Sequence, residues 1–214
     1  MTSQVKICGL TRTVDIEQSI ESGAEFLGFI IEAPSKRRLS LSQARHLFNS
    51  SIGRAKRVAV TVNADDALLD EIQNSLKPDY VQFHGDETVE QIANIGRRYN
   101  FKTIKACAIA TDKDMLSANE YAGVADLILY DAKPPKGSNI RGGHGLSIDW
   151  NIIKRAPTPK VFALAGGLTP ETVKDALNVT HAPILDVSSG VEASAGVKDS
   201  AKIKAFMKAV KDNG

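Results

Sequence analysis

Short apolar, β-prone runs recur along the chain at Val5–Leu10, Phe26–Ile31, Arg57–Val62, Tyr80–His84, Lys102–Ala108, Leu127–Asp131, Val161–Ala165 and Pro183–Val187, starting 21 to 34 residues apart. Between them the apolar spacing turns helical. Leu68, Leu69, Ile72 and Leu76 share one face of a helix, as do Ile203, Phe206, Met207 and Val210. Asp65 and Asp66 predict an acidic first turn. Thr169-Pro170-Glu171 predicts a helix start, with a capping hydroxyl, a proline in the first turn and an acid favoured by the dipole.

Strand and helix alternating at this spacing imply parallel strands joined by right-handed crossovers. Eight such units predict an α/β fold, a single (β/α)8 TIM barrel filling residues 1–214. The alternative, an open doubly wound sheet, usually carries a glycine-rich turn after its first strand. Here that turn reads CGLTRT, with one glycine. The polar, basic, glycine-rich segment Pro134–Gly145 has the length and composition of a mobile lid.

Barrel enzymes bind and react at the C-terminal ends of their strands, with phosphate docked after strands seven and eight. Gly166 and Gly167 follow the seventh predicted strand, and Ser189 and Gly190 follow the eighth. Glycine lets backbone N–H groups approach an anion closely. These four residues are therefore the expected phosphate grip.

Strand parity selects the other candidates, because alternate side chains point to opposite faces. Lys6 and Cys8 share a face, as do Gln82 and His84, while Val5, Ile7, Val81 and Phe83 suit packing against outer helices. The polar sets then point inward, and Cys8, His84 and Asp131 reach the mouth. Cys8 and Asp131, approaching from well-separated strands, form a base and acid pair. Cys107 reads as a core residue.

Composition narrows the function further. A formal net charge of +2 gives no basis for binding nucleic acid or an anionic membrane, so anion binding must be local. Two cysteines make no disulfide framework and fit reducing, cytoplasmic surroundings. The N-terminus lacks the pattern of a secretory signal, and no apolar run is long enough for a membrane span. His46, His84, His144 and His181 have no metal-ligand spacing, so no metal is expected.

The segments VKICGLT, PSKRRLS, VQFHG, LYDAK, GGHG, IDW, LAGGLTPETV and ILDVSSGVE…GVKD, in order over nearly the whole chain, resemble those of the phosphoribosylanthranilate isomerases. The resemblance implies an Amadori rearrangement of N-(5-phosphoribosyl)anthranilate to 1-(2-carboxyphenylamino)-1-deoxyribulose 5-phosphate in tryptophan biosynthesis, with neither cofactor nor metal. It implies Cys8 as general base and Asp131 as general acid. Arg37 would contact the anthranilate carboxylate, with His84 lining the pocket. Gly166, Gly167, Ser189 and Gly190 would hold phosphate. Lys6, Gln82 and Asp186 complete the expected substrate-binding set.

The stretch EASAGVKD departs from the family, which usually has a proline before this glycine, and the length and charge of PPKGSNIR vary. These departures bear on loop closure and affinity, not on the acid and base positions. A histidine-pathway isomerase pairs two aspartates, and Cys8 opposes that reading. A lyase relying on catalytic lysines, or a non-catalytic phosphate-binding barrel, fits the acid–base pair less well. The expected partner is a small phosphorylated substrate, and both monomer and homodimer stay open.

Ordinary aspartic acid titrates near ~3.9 and cysteine near ~8.5. An acid–base mechanism therefore needs the site to raise the first and lower the second, or the substrate to help. Lys6 is the expected aid to a Cys8 thiolate.

Overall fold

The computed structural model describes residues 3–133 and 148–213. The expected lid at Pro134–Gly145 lies outside them. Eight strands form the barrel: β1 (Gln4–Cys8), β2 (Phe26–Ile31), β3 (Lys56–Thr61), β4 (Tyr80–Phe83), β5 (Lys102–Ile109), β6 (Leu127–Ala132), β7 (Ala163–Leu164) and β8 (Ile184–Val187). Every neighbour pair is parallel, and β1 pairs with both β2 and β8, which closes the sheet. The expected eight-stranded barrel is the observed fold.

The helices are α1 (Thr13–Ser22), α2 (Leu41–Ser50), α3 (Asp66–Ser75), α4 (Val89–Arg98), α5 (Asp112–Asn119), α6 (Trp150–Arg155), α7 (Val173–Thr180) and α8 (Ser200–Lys211). Side chains of Ser40, Thr88 and Thr111 cap α2, α4 and α5, each answered by the residue three positions on. Asp65 caps α3 through the N–H of Leu68, as its acidic start predicts.

The expected helix start at Thr169 is displaced. The Thr169 hydroxyl does accept the N–H groups of Glu171 and Thr172, but these residues form a turn, and α7 begins at Val173. Thr172 spends its own hydroxyl on the carbonyl of Gly167, which ties this turn to the glycine pair.

Two apolar layers follow from strand parity. Val5, Ile7, Val81 and Phe83 face outward and join the helix faces, including Leu69, Ile72, Ile203, Phe206, Met207 and Val210, in the larger core. Phe26, Val58, Val60, Ile104, Leu127, Leu129, Ala163 and Ile184 fill the barrel interior. The interior is plugged from below by apolar groups and turns polar toward its C-terminal mouth. Among the described residues, no helix is long and apolar enough to cross a membrane.

Candidate active site

Register carries the polar residues to one level. Lys6 on β1 lies beside Asp186 on β8, Cys8 beside Gly28 on β2, and Ala108 on β5 beside Asp131. Lys6 donates to Asp186 Oδ2 at 2.9 Å, with both side chains almost wholly buried. A buried ion pair contributes little stability once desolvation is counted. Its presence inside the barrel points to function. The other Asp186 oxygen, Oδ1, is buried without a hydrogen-bond partner, as is Gln82 Oε1, among the described residues.

Cys8 is buried, and its thiol is pushed above its ordinary value, because desolvation outweighs the opposing charge of Lys6. The expected lowering by Lys6 exists but is the smaller effect, since Lys6 also neutralises Asp186. Space for the thiol depends on Gly28: a Cβ there would stand 2.8 Å from Cys8 Sγ and 3.1 Å from Lys6 Nζ.

Across the mouth, Asp131 is the penultimate residue of β6, with Oδ1 accepting the N–H of Ala132 at 2.8 Å. His84 Nε2 lies 3.3 Å from Asp131 Oδ2, and His84 Nδ1 lies 3.1 Å from Gln82 Nε2. Gln82, His84 and Asp131 therefore form one contiguous polar chain.

Gly166 and Gly167 both take positive φ, 85° and 67°. Gly190 sits so close to the preceding loop that a Cβ would run into the carbonyl oxygen of Leu168. A short 3-10 helix at Ser189–Val191 follows β8. Among the described residues, the N–H groups of Gly167, Ser189 and Gly190 donate to no backbone or side-chain acceptor. Backbone N–H groups on two adjacent loops that no described acceptor takes suit an anion.

Arg37 lies in the loop after β2, its side chain crossing Gly9, where a Cβ would meet Arg37 Cδ at 2.5 Å. Gly9 has φ 75°. Arg37 is not a free cation, because Nε and Nη2 donate to Glu192 at 2.8 and 2.7 Å. Only its remaining N–H groups are left for a ligand. Glu192 and Lys198, which sequence reasoning missed, belong to the departing stretch after Val191. That stretch folds back as the antiparallel strands Glu192–Ser194 and Val197–Lys198. Opposite charges six residues apart, across a glycine, were the available signal.

Cys107 faces away from the interior, as expected of a core residue, and burial pushes its thiol up to about 11. Among the described residues no His, Cys, Asp and Glu cluster could hold a metal ion.

A thiol and a carboxyl group thus stand at well-separated strand ends, on the same end of the barrel as two glycine-bearing loops. Over residues 5–209 the chain matches the family described as N-(5'phosphoribosyl)anthranilate (PRA) isomerase. The chain belongs to that family. It is 40% identical over 211 residues to the N-(5'-phosphoribosyl)anthranilate isomerase of Bradyrhizobium sp. (strain ORS 278), covering 99% of this chain and 96% of that one. It is 42% identical over 212 residues to the Brucella canis enzyme, with the same coverage.

The crystal structure of the phosphoribosyl anthranilate isomerase from Thermotoga maritima superposes with a TM-score of 0.88 at 35% identity, covering 98% of this chain and 99% of that one. A further phosphoribosyl anthranilate isomerase structure, in complex with reduced 1-(o-carboxyphenylamino)-1-deoxyribulose 5-phosphate, gives 0.83 at 34% identity and the same coverage. As a member of the phosphoribosylanthranilate isomerase family, the chain is an isomerase built on a barrel.

Proposed function

We propose that the chain rearranges N-(5-phosphoribosyl)anthranilate to 1-(2-carboxyphenylamino)-1-deoxyribulose 5-phosphate, with Asp131 as general acid and Cys8 as general base. The carrying observation is their placement: both lie on the inner face at the C-terminal ends of β1 and β6, the same end of the barrel as the Gly166–Gly167 and Ser189–Gly190 loops. The phosphate enters between Gly166-Gly167 and Ser189-Gly190. The carboxylate of the aromatic ring meets the remaining N–H groups of Arg37, a charge-assisted contact.

The reaction runs in four proton movements. Asp131 gives its proton to the ring oxygen as the C1–oxygen bond breaks, and the anthranilate nitrogen supplies the electrons for a protonated C1=N bond. Cys8 thiolate then takes the C2 proton, and the electron pair left behind forms C1=C2 and neutralises the nitrogen. The resulting enolamine loses its C2 hydroxyl proton and gains one at C1, giving the aminoketone.

Burial holds Cys8 in its thiol form before substrate arrives. Lys6 is the cation that opposes this and stabilises the thiolate during turnover. Asp186 Oδ1, a buried acceptor without a partner among the described residues, fits a sugar hydroxyl. His84, with Gln82 behind it, orients Asp131.

The test is direct. Purified protein is mixed with freshly made phosphoribosylanthranilate and the loss of substrate fluorescence is followed. First-order loss that scales with protein concentration is expected, and fluorescence decaying only at the uncatalysed rate would refute the assignment.

A further inference from the structure

Arg37 and the phosphate cradle sit at opposite ends of the proposed substrate, yet one buried chain of polar groups joins them. Glu192 takes Arg37 on both oxygens and Lys198 Nζ on Oε1 at 2.9 Å. Lys198 Nζ continues to the carbonyl oxygen of Ser188 at 3.1 Å. Arg37, Glu192 and Lys198 are 8%, 7% and 4% exposed, so water does little to screen this chain. The Ser188 carbonyl belongs to the same planar peptide as the Ser189 N–H. A cation fixed on the oxygen therefore fixes where that N–H points.

We propose that Glu192 is a positioning residue that couples recognition of the aromatic carboxylate by Arg37 to recognition of phosphate by the Ser189–Gly190 loop. The inference rests on the assignment of those two groups under Proposed function. Holding Arg37 by its Nε–Nη2 edge removes much of the side-chain freedom that ligand binding would otherwise have to quench. One carboxylate between two cations also leaves this chain of groups with net positive charge, matched to a ligand that carries both a phosphate and a carboxylate. Stability alone gives no reason for the arrangement, since apolar groups of similar volume serve a core as well.

The experiment compares the parent enzyme with Arg37→Ala, Glu192→Gln and the double variant. KM and kcat come from the fluorescence assay, and inorganic phosphate serves as a competitive inhibitor. Glu192→Gln is expected to raise KM roughly 10- to 100-fold, the range lost with a charged hydrogen-bonded partner, while kcat falls far less. It also weakens phosphate inhibition several-fold. The double variant loses less than the product of the single effects, because both changes break the same chain. Independent effects that multiply, or phosphate inhibition equal to the parent's, would overturn the coupling.

A parental KM in Arg37→Ala would instead sink the carboxylate assignment, and the coupling with it. The phosphate constant of Glu192→Gln would still show whether the cradle reading holds. Lys198→Met covers the case in which Glu192→Gln does not fold, since it leaves the Arg37–Glu192 pair neutral and intact. It must weaken phosphate inhibition, with recovery in Lys198→Arg. A parental constant in Lys198→Met refutes the coupling.

Discussion

His84 Nε2 stands 3.3 Å from Asp131 Oδ2, while the other oxygen of Asp131 is held by the N–H of Ala132 at 2.8 Å. His84 Nδ1 in turn lies 3.1 Å from the Gln82 amide nitrogen, so the ring is fixed between Gln82 and Asp131. Both oxygens of the proposed acid are thus held in place before substrate binds. Such preorganisation lets a small carboxyl group deliver a proton along one direction.

Asp131→Asn keeps the Ala132 contact but offers no acidic proton. It is expected to lower kcat by about 10²- to 10⁴-fold, the usual worth of a positioned acid. Cys8→Ala, which removes the base, should fall in the same range. Both variants should keep the parent's circular dichroism spectrum. A kcat within threefold of the parent in either would remove that residue from the mechanism.

Lys6 opposes the burial that pushes the Cys8 thiol up. Lys6→Met removes that cation and leaves Asp186, whose charge pushes in the same direction as burial. The thiol therefore moves further up. The alkaline rise of kcat/KM, which reports the free enzyme's base, should shift to higher pH. A pH profile with the parent's midpoint would show that Lys6 does not act on the base.

Gly28→Ala isolates the thiol differently. The added Cβ would lie 2.8 Å from Cys8 Sγ, so the sulfur must turn away from its place, yet no charge changes. A displacement near 1 Å costs about 10²-fold in rate when reacting atoms must be aligned. We expect kcat to fall on that order while phosphate inhibition stays at the parent value. Parental kcat would mean that Cys8 needs no fixed position.

The barrel and its mouth were legible because they follow from period and parity alone. Val5 and Ile7 against Lys6 and Cys8, or Val81 and Phe83 against Gln82 and His84, leave one assignment of inside and outside. Segments too short to show a period were not legible. Arg38–Leu39 pairs with Ile30–Ile31 as a two-residue strand, and the Glu192–Lys198 hairpin is equally brief. The seventh strand shrank from its expected range to Ala163–Leu164, and Val161 is 55% exposed. Partnership was invisible for the same reason that Arg37 looked free: Glu192 is 155 residues away. Gly28 did carry a signal, since a glycine inside a strand marks close approach by another group.

Cys107 offers a test of burial without catalysis. Its thiol is pushed up to about 11 from an ordinary 9.0, chiefly by desolvation. Between these values the folded chain keeps a proton that the unfolded chain has lost, so stability is full below about pH 9 and drains away as pH rises toward 11. The loss from this group approaches about 3 kcal/mol. Cys107→Ala should melt lower at pH 7, because it leaves a small cavity. It should then lose less further stability than the parent between pH 9 and pH 11, as denaturant midpoints would register. Equal alkaline slopes in the two proteins would place the Cys107 thiol in contact with water and contradict its packing.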